Sequence, residues 1–333
     1  MGKKRKDTDY VYLSTRVKAM ERGLLDRARA ERVLAAPTEE AAARVLQECG
    51  YPDLAGVTGR ALEAALAQRQ REMLEDLAGD LPDRTVLDLF RAQVDYHNAK
   101  VLVKAQALGT DPTRLLLVGG RYSPGRLAAN GQKGKLSGYS QRFRRAVEEG
   151  REVLDATGDP QQVDFTLDRA YFEEAMELAI RTGSKCLTGY VAVLIDTANL
   201  RATVRASRLG KGTEFLRQAL VPGGTVSPSA LARAGGGDLA RLFRGGPLAA
   251  AAAAGAAATD PGSGPLTEFE RLCGEAVAAY WDESPRVPFG VEPVAAYLHA
   301  RQGETAAIRT ILAGRRAGMD GEAIRLRLGR QYR

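Results

Sequence analysis

Histidine, cysteine and aromatic residues are scarce in this 333-residue chain, and each scarcity removes a class of function. The only histidines, His97 and His299, each stand alone on a helical stretch. A lone helical His reads as a packed or surface residue rather than a metal ligand. Cys49, Cys186 and Cys273 lie far apart and form no C-x-x-C pair, which argues for a reducing compartment and against a disulfide frame or zinc site. No apolar run approaches the roughly 18 residues that span a bilayer. The basic start, Met1-Gly2-Lys3-Lys4-Arg5-Lys6, lacks the apolar run of a signal peptide and the Ser or Thr of a myristoylation signal. The chain is therefore expected to be soluble or peripheral, and cytoplasmic.

Catalytic motifs are missing too. There is no H-E-x-x-H or G-x-S-x-G. Gly131-Gln132-Lys133-Gly134-Lys135 looks like a phosphate loop, but the Walker pattern fails at Ala129 and Leu136. Leu209-Gly210-Lys211-Gly212-Thr213 has its Gly, Lys and Thr in the wrong order, so neither stretch forms the phosphate cradle. The adjacent carboxylates Glu39-Glu40, Glu148-Glu149 and Glu173-Glu174 do not face each other on a helix and read as solvated faces. No catalytic residue, cofactor site or metal site is expected.

What is abundant is Ala, Leu, Arg and Glu, a composition that favours helix, and no run of alternating Val, Ile and Thr reads as a strand. The expected fold class is all-α. The formal charge of +7 permits an acidic partner or an anionic membrane surface. Lys3 to Lys6 and Arg142-Phe143-Arg144-Arg145 are basic clusters, the electrostatic footprint of nucleic-acid binding. Many other Arg residues interleave with Glu at helical spacing, which neutralises those faces, so nucleic acid is not the expected partner.

One helical stretch occurs more than once. Val94-Asp95-Tyr96-His97-Asn98-Ala99-Lys100 leads to Leu108-Gly109, and Ile195-Asp196-Thr197-Ala198-Asn199-Leu200-Arg201 leads to Leu209-Gly210. Asp, Asn, the basic residue and the final Gly return at the same spacing. A weaker third copy runs from Glu304 to Gly314. The period of about a hundred residues makes each copy a multi-helix unit, and three such units suggest a body with threefold-like symmetry. Leu87, Phe90, Val94, Asn98, Val101, Ala105 and Leu108 fall on one helix face. An Asn in that seam needs a partner for its amide, and Asp95 or Asp196, one turn earlier, is the natural candidate. The pair reads either as a ligand site or as a buried polar pair that fixes register. The second is favoured, because Asn has that role in helix seams and a catalytic site need not occur twice. Gly109 and Gly210 are expected to supply left-handed helix stops.

Units are expected at 1–120, 121–234 and 266–333, the last completed by part of the preceding segment. Ser123-Pro124-x-x-Leu127 recurs as Ser227-Pro228-x-x-Leu231. The Gly/Ala-rich stretch 235–265 reads as an exposed insertion or flexible connection. The tail from Arg301 carries eight Arg against three acids, and Arg301, Arg309, Arg315, Arg316 and Arg325 are candidates for an interface, although a solvated face fits them equally.

Taken together, these motifs resemble the family of C subunits of archaeal and bacterial A/V-type ATP synthases, to which the d subunit of the vacuolar ATPase corresponds. The opening Tyr12-x-x-x-Arg16-Val17-x-x-Met20-Glu21-x-x-Leu24-Leu25 carries the resemblance, as does Asp95-x-x-Asn98. It is closest in Pro288-Phe289-Gly290-Val291-Glu292-Pro293-Val294-x-x-Tyr297-Leu298, continuing through Glu304, Ile308-Arg309, Ile311-Leu312-x-Gly314 and Glu322-x-Ile324-Arg325-x-Arg327-Leu328. The resemblance implies a non-catalytic, funnel-shaped helical subunit with pseudo-threefold symmetry, one copy per complex. It would sit on the membrane rotor ring at the cytoplasmic membrane surface, receive the central-stalk subunits, and transmit torque for proton or sodium transport. The alternatives are a free-standing helical scaffold and a basic nucleic-acid-binding protein.

Overall fold

The computed structural model describes residues 5–132, 135–234 and 238–332. Lys3 and Lys4 of the basic start, Lys133-Gly134 of the phosphate-loop-like stretch and Gly235-Gly236-Gly237 lie outside the described residues. Among those described, every regular element is a helix. The chain forms two compact units. The first is Asp83–Arg244 with Thr259–Gly262. The second combines Arg5–Pro82, Gly245–Ala258 and the C-terminal stretch from Ser263.

The N-terminal part of the second unit holds α1 (Val11–Glu21), α2 (Arg27–Ala35), α3 (Glu39–Glu48) and α4 (Gly59–Ala78). The first unit follows with α5 (Thr85–Ala107), α6 (Pro124–Gln132), α7 (Gln141–Thr157), α8 (Pro160–Thr182), α9 (Lys185–Arg208), α10 (Thr213–Ala219), α11 (Pro228–Ala234) and α12 (Leu239–Leu242). The second is completed by α13 (Ala249–Ala257), α14 (Thr267–Ala279), α15 (Val291–Arg316) and α16 (Gly321–Arg325).

Local chemistry sets these limits. Asp26, Thr38, Ser140 and Ser184 accept a first-turn N–H at the starts of α2, α3, α7 and α9, satisfying donors that a helix leaves orphaned. Gly109 and Gly210 both stand at φ 62°, the left-handed stop expected of them. Beyond each, a 2.9 Å bond from Thr110 or Lys211 N–H returns to Ala105 or Ala206, closing a Schellman turn. The third copy stops later than its sequence suggests. Gly314 lies inside α15, and the turn is made by Gly318 at φ 67°, with Met319 N–H bonded back to Gly314. Gly314 thus takes the place of Ala105 and Ala206. A Cβ there would come within 2.7 Å of Ile324 on α16.

In the first unit, Lys100 and Lys104 of α5 bond Asp168 and Asp164 of α8 at 2.6 and 2.7 Å, so the two helices are antiparallel. Gly183 and Ser184 turn α8 directly into α9, which therefore runs parallel to α5. Phe90 of α5 stacks on Tyr190 of α9. The apolar stripe read on α5 is only part of its buried surface. Tyr96, Ala99, Leu102 and Val103 are buried as well, against Leu127, Phe143 and Leu167, because α6, α7 and α8 all pack on it. Leu108, at the end of the stripe, is 75% exposed.

In the second unit, Val33, Leu46 and Leu62 pack with Ile308, Ile311 and Ile324, each side chain contributing about 1.5–3 kcal/mol by leaving water. Here too is a correction: the Gly/Ala stretch is not a loose insertion. Its alanines form α13, with Ala251, Ala252 and Gly255 buried and the helix packed on α14. Alanine has the best helix propensity, and its small side chain lets the two backbones approach.

Candidate functional site: three buried carboxylate clamps

Asp95 and Asn98 are fully buried one turn apart on α5, but they do not partner each other. The Asn98 amide faces Leu117, donating to its carbonyl at 2.9 Å and accepting its N–H at 2.8 Å. Asp95 accepts Arg121 Nε at 2.6 Å and Tyr122 N–H at 3.3 Å. The expectation of an Asp–Asn pair is thus corrected. Side chains on one helix face point outward side by side, and here both reach a loop laid across them, whose backbone groups would otherwise be buried unpaired.

The second copy repeats the arrangement. Asn199 exchanges bonds of 2.7 and 2.8 Å with the carbonyl and N–H of Val221. Asp196 accepts Thr225 N–H and Oγ1 at 3.0 and 2.5 Å and Val226 N–H at 3.2 Å. Both loops need a glycine against the carboxylate. A Cβ on Gly120 would lie 2.2 Å from Asp95 Oδ1, and one on Gly224 would lie 2.1 Å from Asp196 Oδ1.

The third carboxylate is Glu304, fully buried on α15. It accepts Leu25 N–H at 2.6 Å, Tyr51 Oη–H at 2.8 Å and Arg301 Nη1 at 2.5 Å. The Asn position is Ala307 here. The three N–H donors Tyr122, Val226 and Leu25 are equivalent, since each precedes the residue that opens the next short helix: Ser123, Ser227 and Asp26. In each case that residue's carbonyl accepts the N–H four positions on, from Leu127, Leu231 and Ala30. The third clamp therefore holds the chain's own beginning.

The first clamp is the most charged. Arg121 passes from Asp95 to Glu174 of α8, with bonds of 2.8 and 3.0 Å, and Glu174 also accepts the Ser140 hydroxyl. Burial pushes the Asp95 carboxyl up to about 6, with Arg121 opposing it. Burial also works against ionised Glu174, but the bonds and charge of Arg121 prevail and hold it below the ordinary Glu range. Burial raises Glu304, against Arg301. Every one of these groups is occupied by a neighbour, and among the described residues no group of three or more His, Cys, Asp or Glu could hold a metal ion. The clamps fasten loops to helices.

The five candidate interface arginines all bond within their own unit. Arg301 is buried on Glu304, which takes it off the basic surface expected of the tail. Arg315 donates to the carbonyls of Leu34 and Ala36, and Arg316 to Glu39. Arg309 and Arg325, both partly exposed, make forked pairs with Glu63 and Glu31. Sequence reasoning missed Arg121, Glu174 and the paired Gly-Gly. A signal for the glycines was present, since Gly119-Gly120 and Gly223-Gly224 each stand just before a Ser-Pro.

Among the described residues no helix is long and apolar enough to cross a membrane. The model of the ATP synthase (C/AC39) subunit family matches residues 13–327, and the chain belongs to that family. It is similar to the C subunit of the V-type sodium ATPase of Enterococcus hirae, 20% identical over 97% of this chain and 99% of the relative. It is also similar to the C subunit of the V-type ATP synthase of Deinococcus radiodurans, 25% identical over 72% and 71%, and to that of the A-type ATP synthase of Haloquadratum walsbyi, 24% identical over 94% and 96%. As a member it is a non-catalytic subunit linking stalk and rotor of a V/A-type ATPase.

Proposed function

We propose that one copy of this chain per complex receives the foot of the central stalk and rests on the membrane rotor ring at the cytoplasmic face. It carries torque between them for proton or sodium transport. Its three helical units surround a pseudo-threefold axis in a funnel. The observation that carries this reading is the clamp itself, one design at Asp95, Asp196 and Glu304, the third closed by Leu25 and Tyr51. A part that transmits torque must resist unwinding. Fastening α5 and α9 to the loops that follow them, and α15 to the loop before α2, by buried polar bonds serves that need. Of the five candidate arginines, Arg309 and Arg325, partly exposed, are the ones put forward to meet ring or stalk.

The test is affinity recovery of the tagged chain from native membranes. The reading expects a ring-forming membrane subunit and central-stalk subunits to come with it, one copy of this chain per complex. Recovery of the chain alone would return it to the free-standing scaffold, and recovery with salt-released nucleic acid to the basic binder.

A further inference from the structure

Residues 201–244 carry eight basic side chains against two acidic ones, and Arg201 and Arg205 among the eight have partners of their own. They belong to the C-terminal end of α9 and to α10, α11 and α12, all within the first unit. Leu209, in the turn that ends α9, is 69% exposed among these cations. Arg208 donates to the carbonyl of Pro261, and Lys211 lies over the Phe215 ring. Neither contact neutralises a charge. Arg233 and Arg244 are exposed and make no ion pair among the described residues. Arg217 and Arg241 pair only with exposed neighbours on their own helical turns, contacts of small worth.

The fold brings Arg208, Lys211 and Arg233 toward one end. The chain leaves α9 at Gly210 and returns along α10 to Val221, which bonds Asn199, so α10 begins beside Leu209. Helix α11 starts at the Asp196 clamp and packs on α9 and α10. In the first copy, the equivalent α6 runs alongside α5, with Gly131 against Leu102. By the same geometry Arg233 lies toward the Leu209 end. Because α5 and α9 are parallel, the exposed Leu108 marks the same end of the unit. The cations beside Leu108 differ, since Lys100 and Lys104 are neutralised by Asp168 and Asp164. Arg208 and Lys211 stand where the first copy has Ala107 and Thr110, so these two cations have no counterpart beside Leu108.

We infer that this end of the first unit, centred on Leu209 with Arg208, Lys211 and Arg233, binds the anionic phospholipid headgroups of a membrane surface directly. Cations that keep their charge, mostly arginines, suit phosphate oxygens, and a protruding leucine among them enters the headgroup boundary. The inference deepens the proposed function, and rests on it only in that a rotor-linking subunit works beside a membrane.

The test is co-sedimentation of the full chain with vesicles of phosphatidylcholine alone and of an equal mixture with phosphatidylglycerol. Binding to the mixed vesicles only, weakening as salt rises, is expected. The variant R208E/K211E/R233E should bind at least about fivefold more weakly for each cation removed, and Leu209→Ser should weaken binding several-fold at unchanged charge. These positions lie outside the clamps, and helical circular dichroism checks the fold. Equal binding to both vesicles, or undiminished binding by the triple variant, would overturn the inference. So would a face that captures heparin or purified rotor subunits through these cations while ignoring vesicles. A chain that binds vesicles but recovers no rotor subunit instead sinks the proposed function and leaves this inference standing.

Discussion

Asn98 and Leu117 hold each other by two reciprocal hydrogen bonds, side-chain amide to backbone, as two strand residues would. Asn199 and Val221 do the same. A helix surface thereby pairs with an irregular loop, and at buried Val221 no backbone group is left unmet.

Asn199→Leu should destabilise the protein by about 2–4 kcal/mol, since two hydrogen bonds are lost and the N–H and C=O of buried Val221 stay unpaired. Asn98→Leu should cost less, because Leu117 is 43% exposed and water can reach it. Urea denaturation measures this directly. In the assembled complex, both variants should loosen coupling between ATP hydrolysis and ion transport. Full coupling in both would count against the stiffness argument.

Gly120→Ala and Gly224→Ala should each cost at least about 2 kcal/mol, because the added Cβ would overlap a carboxylate held by its own bonds. Gly125→Ala is the control. It lies in α6 with nothing near its Cβ, and should be neutral or stabilising by up to about 1 kcal/mol. Thermal melts of the three variants give the comparison.

Asp95 predicts a pH dependence of definite sign. Its carboxyl is pushed up to about 6 in the folded chain, from 3.8, so between those values the folded state binds the proton more tightly. Its contribution to stability is therefore greatest below about pH 4 and falls as pH rises to about 6. Relative to Asp95→Asn, the wild type should lose on the order of 2–3 kcal/mol over that window. Denaturation of both proteins across it would show a constant difference if the carboxyl were ordinary.

Glu304→Ala would leave Leu25 N–H, the Tyr51 hydroxyl and buried Arg301 without their acceptor, a loss of about 3–5 kcal/mol. Hydrogen exchange at the Leu25 amide should speed up more than exchange in α9. A uniform rise across the chain would show that the third clamp has no local grip.

The all-helical class, the repeated Asp, Asn and Gly and the lack of a catalytic constellation were legible in the sequence, because they are matters of composition and short spacing. What the carboxylates and amides hold was not. Leu117 follows Asn98 by 19 residues, while Val221 follows Asn199 by 22, since α10 replaces a single short turn at Pro112–Arg114. That difference hides the alignment of the two Gly-Gly loops. Glu304 was harder still, because its loop lies at the other end of the chain. The alanines of α13 read as loose for want of large side chains, yet smallness is what lets that helix lie close to α14.

Leu25 and Glu304 are 279 residues apart, and this separation bears on synthesis. Translation proceeds from the N-terminus, and the helices from Thr85 to Arg208 can pack among themselves as they emerge. Residues 5–82 cannot complete their core until α15 has left the ribosome. That segment is thus made long before the helix that secures it, and the bond at Glu304 forms only once α15 has emerged.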